Sequence, residues 1–204
     1  MVLISCGCAS RQADVKFTQN KGGNSLVQSF PGAYITSNRD GEYDIVLVND
    51  TLRAAGEVSA KKPLQPVKQP PLQQAIHIHV FWRPVDGAMV KESSITNAIV
   101  HWYVFSGEGS NGTDMVHYEG AAFVTLDAKA NSAKINIGDG QIAARSIKGD
   151  LKDPVGPSRI TGTILAVRND ARVRDLLASI QSKANGTSTA WSEAEVDTGA
   201  AIGK

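Results

Sequence analysis

Apolar and polar residues alternate with a period of two through the middle of the chain. The run Ala75–Trp82, AIHIHVFW, places its residues on two faces, with Ile76, Ile78, Val80 and Trp82 on one and His77, His79 and Phe81 on the other. Large side chains on both faces predict a central strand that is covered on both sides, or one whose second face holds a site.

Seven further runs have strand character, which gives about eight strands in all. They are Ala33–Thr36, Tyr43–Val48, Ile95–Phe105, Asp114–Leu126, Lys134–Ile137, Gln141–Ile147 and Ile160–Arg168. Asp40-Gly41 and Gly138-Asp139-Gly140 predict hairpin turns between neighbouring runs, because glycine accepts the positive φ of tight turns. Gly120 predicts a bulge or bend inside the longest run.

A single helix is predicted near the C-terminus. Its apolar stripe repeats at spacings of three and four, at Val173, Leu176, Leu177 and Ile180. Asn169 or Asp170 can cap its start and Gly186 can end it. Because no helix separates the preceding strands, a parallel βαβ fold is disfavoured. We predict a mainly β fold, an antiparallel β-sandwich or barrel of about eight strands with one C-terminal α-helix.

The 204 residues have room for one domain with tails. Residues 1–29 are predicted to be a truncated signal followed by a flexible tether, because residues 9–29 are polar and lack helix or strand periodicity. Residues 30–184 form the predicted β-rich domain, in which residues 54–74 are a proline-rich loop. Residues 185–204 are small and polar and are predicted to be a disordered tail.

Charge and cysteine content narrow the possible functions. The formal net charge is only +1, and the lysines and arginines are spread along the chain. Nucleic acid is therefore not an expected partner. Both cysteines lie within the first ten residues, which excludes a disulfide framework in the body of the protein. A Gly-x-Ser-x-Gly elbow and a P-loop are absent from the sequence. We therefore predict a protein that is not an enzyme and that has no cofactor.

The N-terminus carries the motif Leu3-Ile4-Ser5-Cys6. It resembles the lipobox of bacterial lipoprotein precursors, in which the cysteine is lipidated and becomes the mature N-terminus. The resemblance covers only these four positions, and the preceding segment is shorter than the apolar region of about 7–15 residues in a complete signal. It implies a lipid anchor on Cys6 that attaches the protein to a membrane of the bacterial cell envelope.

All four histidines fall in predicted strands of the middle region, at His77, His79, His101 and His117. If their strands are neighbours, these side chains could converge, with Glu119 as a fifth group. A His-x-His pair with a third histidine and a carboxylate provides the ligands of a zinc or iron site. The alternative is that each histidine is structural or lies on a solvated face.

The strand aromatics suggest another kind of site, because Phe81, Tyr103 and Phe105 could line an apolar pocket. The leading functional prediction is an exported lipoprotein with a structural or protein-binding role, whose partner is another envelope protein. One alternative is a carrier of small apolar ligands in that pocket. The other is a histidine-based metal-binding protein or metalloenzyme.

Overall fold

The computed structural model describes residues 12–38, 41–49, 73–82, 96–106 and 114–186. These residues form nine strands and one helix. In chain order they are β1 Gln12–Gln19, β2 Ser25–Phe30, β3 Gly32–Ser37, β4 Tyr43–Val48, β5 Gln73–Val80, β6 Ala98–Phe105, β7 Met115–Ala128, β8 Ser132–Lys148, β9 Ser158–Arg168 and α1 Asp170–Asn185. The predicted mainly β fold with a single C-terminal helix is confirmed.

The nine strands belong to one sheet in the order β2-β1-β9-β3-β4-β5-β6-β7-β8. Neighbouring strands are antiparallel except β3 and β9, which are parallel and joined by only two residue pairs. β8 also pairs with β9 along most of its length, so the sheet curls back on itself. One curled sheet therefore has an inner face that is enclosed and an outer face that the helix partly covers.

The prediction that residues 9–29 are a flexible tether is wrong for the part that the structure describes. β1 and β2 form an antiparallel hairpin, paired from Ala13 with Phe30 to Thr18 with Ser25. Ala13, Val15 and Phe17 alternate with polar residues and are fully buried. Their alternation is short, and β1 is stabilised by pairing with β9 at the far end of the chain. Local composition cannot indicate such a distant partner.

The prediction of a hairpin turn at residues 138–140 is also wrong. β8 runs through these residues as one strand, with Asp139 paired to Phe123 and Gly140 paired to Ala122 on β7. Ile137 pairs with Gly162 of β9 and Gly140 with Ile160, so β8 holds one extra residue at a β-bulge. A Cβ on Gly140 would lie 2.7 Å from Ile160 Cγ2. The glycine allows close packing of strands, and the chain does not reverse there.

Gly120 is not the position of a bulge. The register between β7 and β8 shifts between His117 and Tyr118 and again between Phe123 and Val124. Gly120 pairs regularly with Ile142, and a Cβ there would lie 1.7 Å from the carbonyl oxygen of Gln141. Glycine is needed at this position because the backbone of β8 passes so close.

The inner face of the sheet holds the main hydrophobic core. Its largest fully buried side chains include Phe17, Phe30, Trp102 and Tyr118, together with isoleucine and leucine side chains from β3, β4 and β5. Burial of this apolar surface is the main favourable contribution to folding. The core therefore fixes which residues of each strand face outward.

A smaller core lies on the outer face beneath α1. Val173, Leu176 and Ile180 of the helix are buried against outward-facing residues of β3, β4, β5, β6 and β7, namely Tyr34, Val46, Val48, Ala75, Phe105 and Met115. The predicted caps are confirmed: Asn169 Oδ1 accepts a hydrogen bond from the Arg172 amide at 3.0 Å, and Gly186 ends the helix in the left-handed region. The rest of the outer face on β5, β6 and β7 carries the histidines.

Several predictions fall outside the described residues. They are the lipobox with Cys6, most of the proline-rich loop and most of the predicted tail at residues 185–204. The prediction of a tail is wrong for Asn185 and Gly186, which are the last residue and the C-cap of α1. The predicted loop includes Gln73 and Gln74, but these two residues begin β5. Among the described residues, the chain contains no helix with the length and apolar character needed to span a bilayer.

Asn97 provides a test of the fold. It is fully buried, its side-chain amide donates to the carbonyl oxygens of Val124 and Trp82, and its Oδ1 accepts from the Val124 amide. Asn97→Ala leaves buried backbone groups of Val124 unpaired, so we expect the free energy of unfolding to fall by about 2–4 kcal/mol. Urea denaturation measures this change.

Asn136→Ala is the matched control. Asn136 is exposed on β8, where its Oδ1 accepts from the Thr163 hydroxyl. This substitution should change the free energy of unfolding by less than about 0.5 kcal/mol. Equal effects of the two substitutions would contradict the bridging role of Asn97.

Candidate metal centre

Strand alternation places the four histidines on the outer face of the sheet. His77 and His79 face outward because the residues between and beside them, Ile76, Ile78 and Val80, are buried in the inner core. His101 and His117 likewise alternate with buried residues of β6 and β7. These histidines are predicted to converge if their strands are neighbours. Convergence also depends on the register of the strands, and the observed register brings the histidines together.

The register brings the polar side chains into one row across four strands. Asp44 of β4 is opposite His79, and His77 is opposite His101. His101 is in turn opposite Glu119 on β7. We call the six side chains of this row the histidine face: Asp44, His77, His79, His101, His117 and Glu119.

The first half of the histidine face is a triad of Asp44, His77 and His79. Asp44 Oδ1 lies 2.8 Å from His77 Nε2 and 2.8 Å from His79 Nδ1. Glu42 adds a second carboxylate, with its Oε2 3.6 Å from His79 Nε2. The two imidazole nitrogens therefore meet at one carboxylate oxygen.

The second half is a triad of His101, His117 and Glu119. His101 Nδ1 lies 3.1 Å from His117 Nε2 and 3.9 Å from Glu119 Oε2. The chosen ligand atoms of each triad all lie within 4.8 Å of one another. Each triad thus supplies three possible ligands.

Ring stacking joins the two triads. The imidazoles of His77 and His101 stack with centroids 5.8 Å apart, and those of His101 and His117 with centroids 5.3 Å apart. Tyr103 also stacks on His117, with centroids 4.5 Å apart and the two rings nearly parallel. These contacts restrict the rotation of the rings, so the nitrogens are held in position by their neighbours.

Burial and local charge shift the pKa values on the histidine face. Partial burial, with smaller effects from neighbouring histidines, lowers the pKa of His101 below its ordinary value. Burial also lowers the pKa of His117 and outweighs the opposite effect of Glu119. For Asp44, burial raises the pKa, but the hydrogen bonds and positive charge of His77 and His79 together lower it. These shifts favour neutral imidazoles at His101 and His117 and an ionised carboxylate at Asp44.

This protonation state and geometry suit a metal ion. Zinc binds imidazole nitrogen at about 2.0–2.1 Å in tetrahedral geometry, which places ligand atoms about 3.3 Å from one another. The two Asp44–histidine separations are 2.8 Å, and those from His101 to His117 and Glu119 are 3.1 and 3.9 Å, so they are of similar size to that spacing. Small side-chain movements would therefore allow each triad to coordinate an ion, with a fourth position open to water.

Sequence reasoning identified the four histidines and Glu119 but missed Asp44. Asp44 precedes the buried residues Ile45–Val48 of β4. Its relation to His77 and His79 depends on the pairing of β4 with β5, across residues 50–72 of intervening chain. Only a correct strand register could have indicated this carboxylate.

The three aromatics predicted to line an apolar pocket lie beside the histidine face instead. Phe105 is fully buried in the small core beneath α1, and Tyr103 packs between it and His117. Phe81 contacts the edge of His79 with centroids 5.0 Å apart. They form the border of the row and do not line the cavity that the structure describes.

No family model, curated protein or solved structure matches this chain.

The lowered pKa values predict a loss of stability on acidification. A histidine whose pKa is lower in the folded state than in the unfolded state stabilises the fold above pH about 6.5, and that contribution is lost as the pH falls through the folded value. We expect the melting temperature in the presence of EDTA to fall between pH 7.5 and pH 5.0. The lowered pKa of Asp44 changes the stability of the fold only below about pH 3.8, outside this window.

The double variant His101→Asn, His117→Gln should lose a measurable part of this pH dependence. Each amide places a nitrogen near the imidazole nitrogen used in the structure, and neither amide titrates. Asn136→Ala serves as a control that keeps the wild-type profile. Superimposable profiles for wild type and the double variant, from thermal melts followed by circular dichroism, would contradict the assignment.

Proposed function

We propose that this protein binds divalent transition-metal ions on the histidine face. The observation that supports the proposal is the pair of triads, Asp44-His77-His79 and His101-His117-Glu119, whose ligand atoms cluster within coordination range. Each triad combines two imidazoles with one carboxylate. That donor set is common for zinc and is also suitable for copper and nickel.

The donor set disfavours calcium and magnesium. Both of these ions prefer six or more oxygen ligands, whereas four of the six groups on the histidine face offer nitrogen. Among transition metals, zinc fits best, because its tetrahedral preference matches three protein ligands and one open position. Zinc is therefore the metal with which the proposal is tested.

Partial exposure favours reversible binding over a permanent structural role. In the ion pairs of the histidine face, the side chains are 16% to 41% exposed. Structural zinc sites are closed by four protein ligands, whereas each triad here provides three. We propose that the protein captures or carries the metal.

The place of action is a second part of the proposal. It rests on the resemblance of Leu3-Ile4-Ser5-Cys6 to a lipobox. A lipid on Cys6 would hold the metal-binding domain at a membrane of the bacterial cell envelope. Any structural or protein-binding role there would be exercised by the same anchored domain.

Zinc titration tests the proposal directly. Isothermal titration calorimetry at pH 7.5, with zinc content measured by elemental analysis after dialysis, should give two ions per chain. His77→Ala with His79→Ala should leave one ion, His101→Ala with His117→Ala should leave one, and all four substitutions together should leave none. Circular dichroism establishes that each variant is folded. A folded wild-type protein that binds no zinc would contradict the proposal.

A single carboxylate provides a sharper test. Asp44→Asn keeps the size of the side chain but removes the charge that faces His77 and His79. We expect zinc to bind the first triad about tenfold to a hundredfold more weakly. Asp127→Asn, at an exposed position of β7 away from the histidine face, should leave both affinities unchanged. Equal effects of the two substitutions would rule out Asp44 as a ligand.

A further inference from the structure

The two halves of the histidine face meet at one pair of rings. His77 of the first triad lies opposite His101 of the second triad in the β5–β6 ladder. Their imidazoles stack with centroids 5.8 Å apart and planes inclined by 19°. Each of these two histidines supplies a ligand atom to its own triad. Ions in the two triads would therefore be bound to neighbouring rings.

The stacked pair sets an upper limit on the distance between the two ions. Zinc lies about 2.1 Å from an imidazole nitrogen that binds it, and therefore about 3.2 Å from the centroid of the ring. Adding that length at each end of the 5.8 Å between the His77 and His101 centroids gives a separation of at most about 12 Å. The limit holds for either nitrogen of each ring, because it describes the most extended arrangement.

Two doubly charged ions at that distance repel each other appreciably. Even at the dielectric constant of bulk water and before screening by salt, the repulsion at about 12 Å weakens binding of the second ion by about tenfold. A shorter separation or a lower dielectric constant beside the sheet makes the effect larger. Asp44 and Glu119 partly neutralise the ions, but their charges are present whether one triad or both are occupied. They therefore do not remove the repulsion between the ions.

The scaffold prevents the ions from moving apart. The residues on either side of His77 and of His101 are buried in the inner core, which fixes where these two side chains leave the sheet. Asp44 holds the His77 ring through Nε2 at 2.8 Å, and His117 stacks on the His101 ring with centroids 5.3 Å apart. The separation of the two ions is therefore set by the register of β5 and β6.

We infer that an ion bound in one triad repels an ion in the other and weakens its binding, so that the histidine face holds its first ion tightly and its second loosely. This inference rests on the proposed function, because both triads must bind divalent metal. Loading is then self-limiting. The chain takes up a second ion only when free metal is abundant, and it gives up one ion first when free metal falls. The doubly loaded chain is the form that donates metal to an acceptor.

A thermodynamic cycle with zinc measures this coupling. His77→Phe with His79→Phe leaves only the second triad, because phenylalanine keeps a ring in the stack but offers no nitrogen. His101→Phe with His117→Phe leaves only the first triad in the same way. All carboxylates remain, and the variant with all four substitutions gives the background binding. Circular dichroism establishes that each variant is folded, and alanine pairs at the same positions replace any phenylalanine pair that does not fold.

Zinc association constants are measured by calorimetry at pH 7.5 and low ionic strength. At 0.01 M salt, the product of the two wild-type constants should be at least about fivefold smaller than the product of the two single-triad constants. A wild-type chain that holds one ion, although each single-triad variant also holds one, would be the limiting case of the same coupling. Equal products would overturn the inference and leave the proposed metal binding intact. Absence of zinc from the wild type and both variants would overturn the proposed function and this inference with it.

Salt distinguishes repulsion between the ions from an indirect effect of packing. The cycle is repeated at 1 M ionic strength, where the screening length is about 3 Å instead of about 30 Å at 0.01 M. We expect the two products to differ by less than about twofold there. Single-triad constants measured at the same salt concentration account for other effects of salt on binding. A difference that keeps its low-salt value would overturn repulsion as the cause, and with it the inference.

Discussion

The pairing of β5 with β6 sets the properties of both faces of this protein. In that ladder Ile76 lies opposite Trp102 on the inner face, and His77 lies opposite His101 on the outer face. A slip of one residue would exchange the faces of β5, burying imidazoles and exposing isoleucines. That exchange would expose apolar side chains that the core now buries, which is unfavourable. The inner core therefore fixes the register. The same register then determines where the histidine face lies.

The outer face shows how a sheet can bring polar groups together without a loop. Asp44, His77, His101 and Glu119 come from four adjacent strands, and each is held by the alternation of its own strand. Their neighbours restrict them further, because Asp44 accepts from both His77 and His79 and the rings stack along the row. Partial burial lowers the pKa of His101 and His117 while solvent can still reach their rings. A site of this kind is preorganised by the scaffold, which lowers the entropy lost when a ligand binds.

Local pattern predicted the features that depend on short stretches of chain. The alternation in Ala75–Trp82 gave the inner and outer faces of β5, and the stripe from Val173 to Ile180 gave the buried side of α1. Features that depend on distant pairing escaped prediction. β1 is stabilised by β9, residues 138–140 continue β8 because β7 and β9 lie on either side, and Asp44 joins the histidines only through the register with β5. Strand order and register are set by the whole core, which no single segment encodes.

The position of β9 has a consequence for how the chain folds. This strand is the last of the sheet to be synthesised, yet it pairs with β1, β3 and β8, so Ala13 finds its partner at Ile164. At translation rates of 5–20 residues per second, the N-terminal strand precedes its partner by roughly eight to thirty seconds. Sheets dominated by such nonlocal pairs also have high contact order and fold slowly. The first hairpin is therefore synthesised before the strand that will bury it, and the sheet can be completed only after β9 has been synthesised.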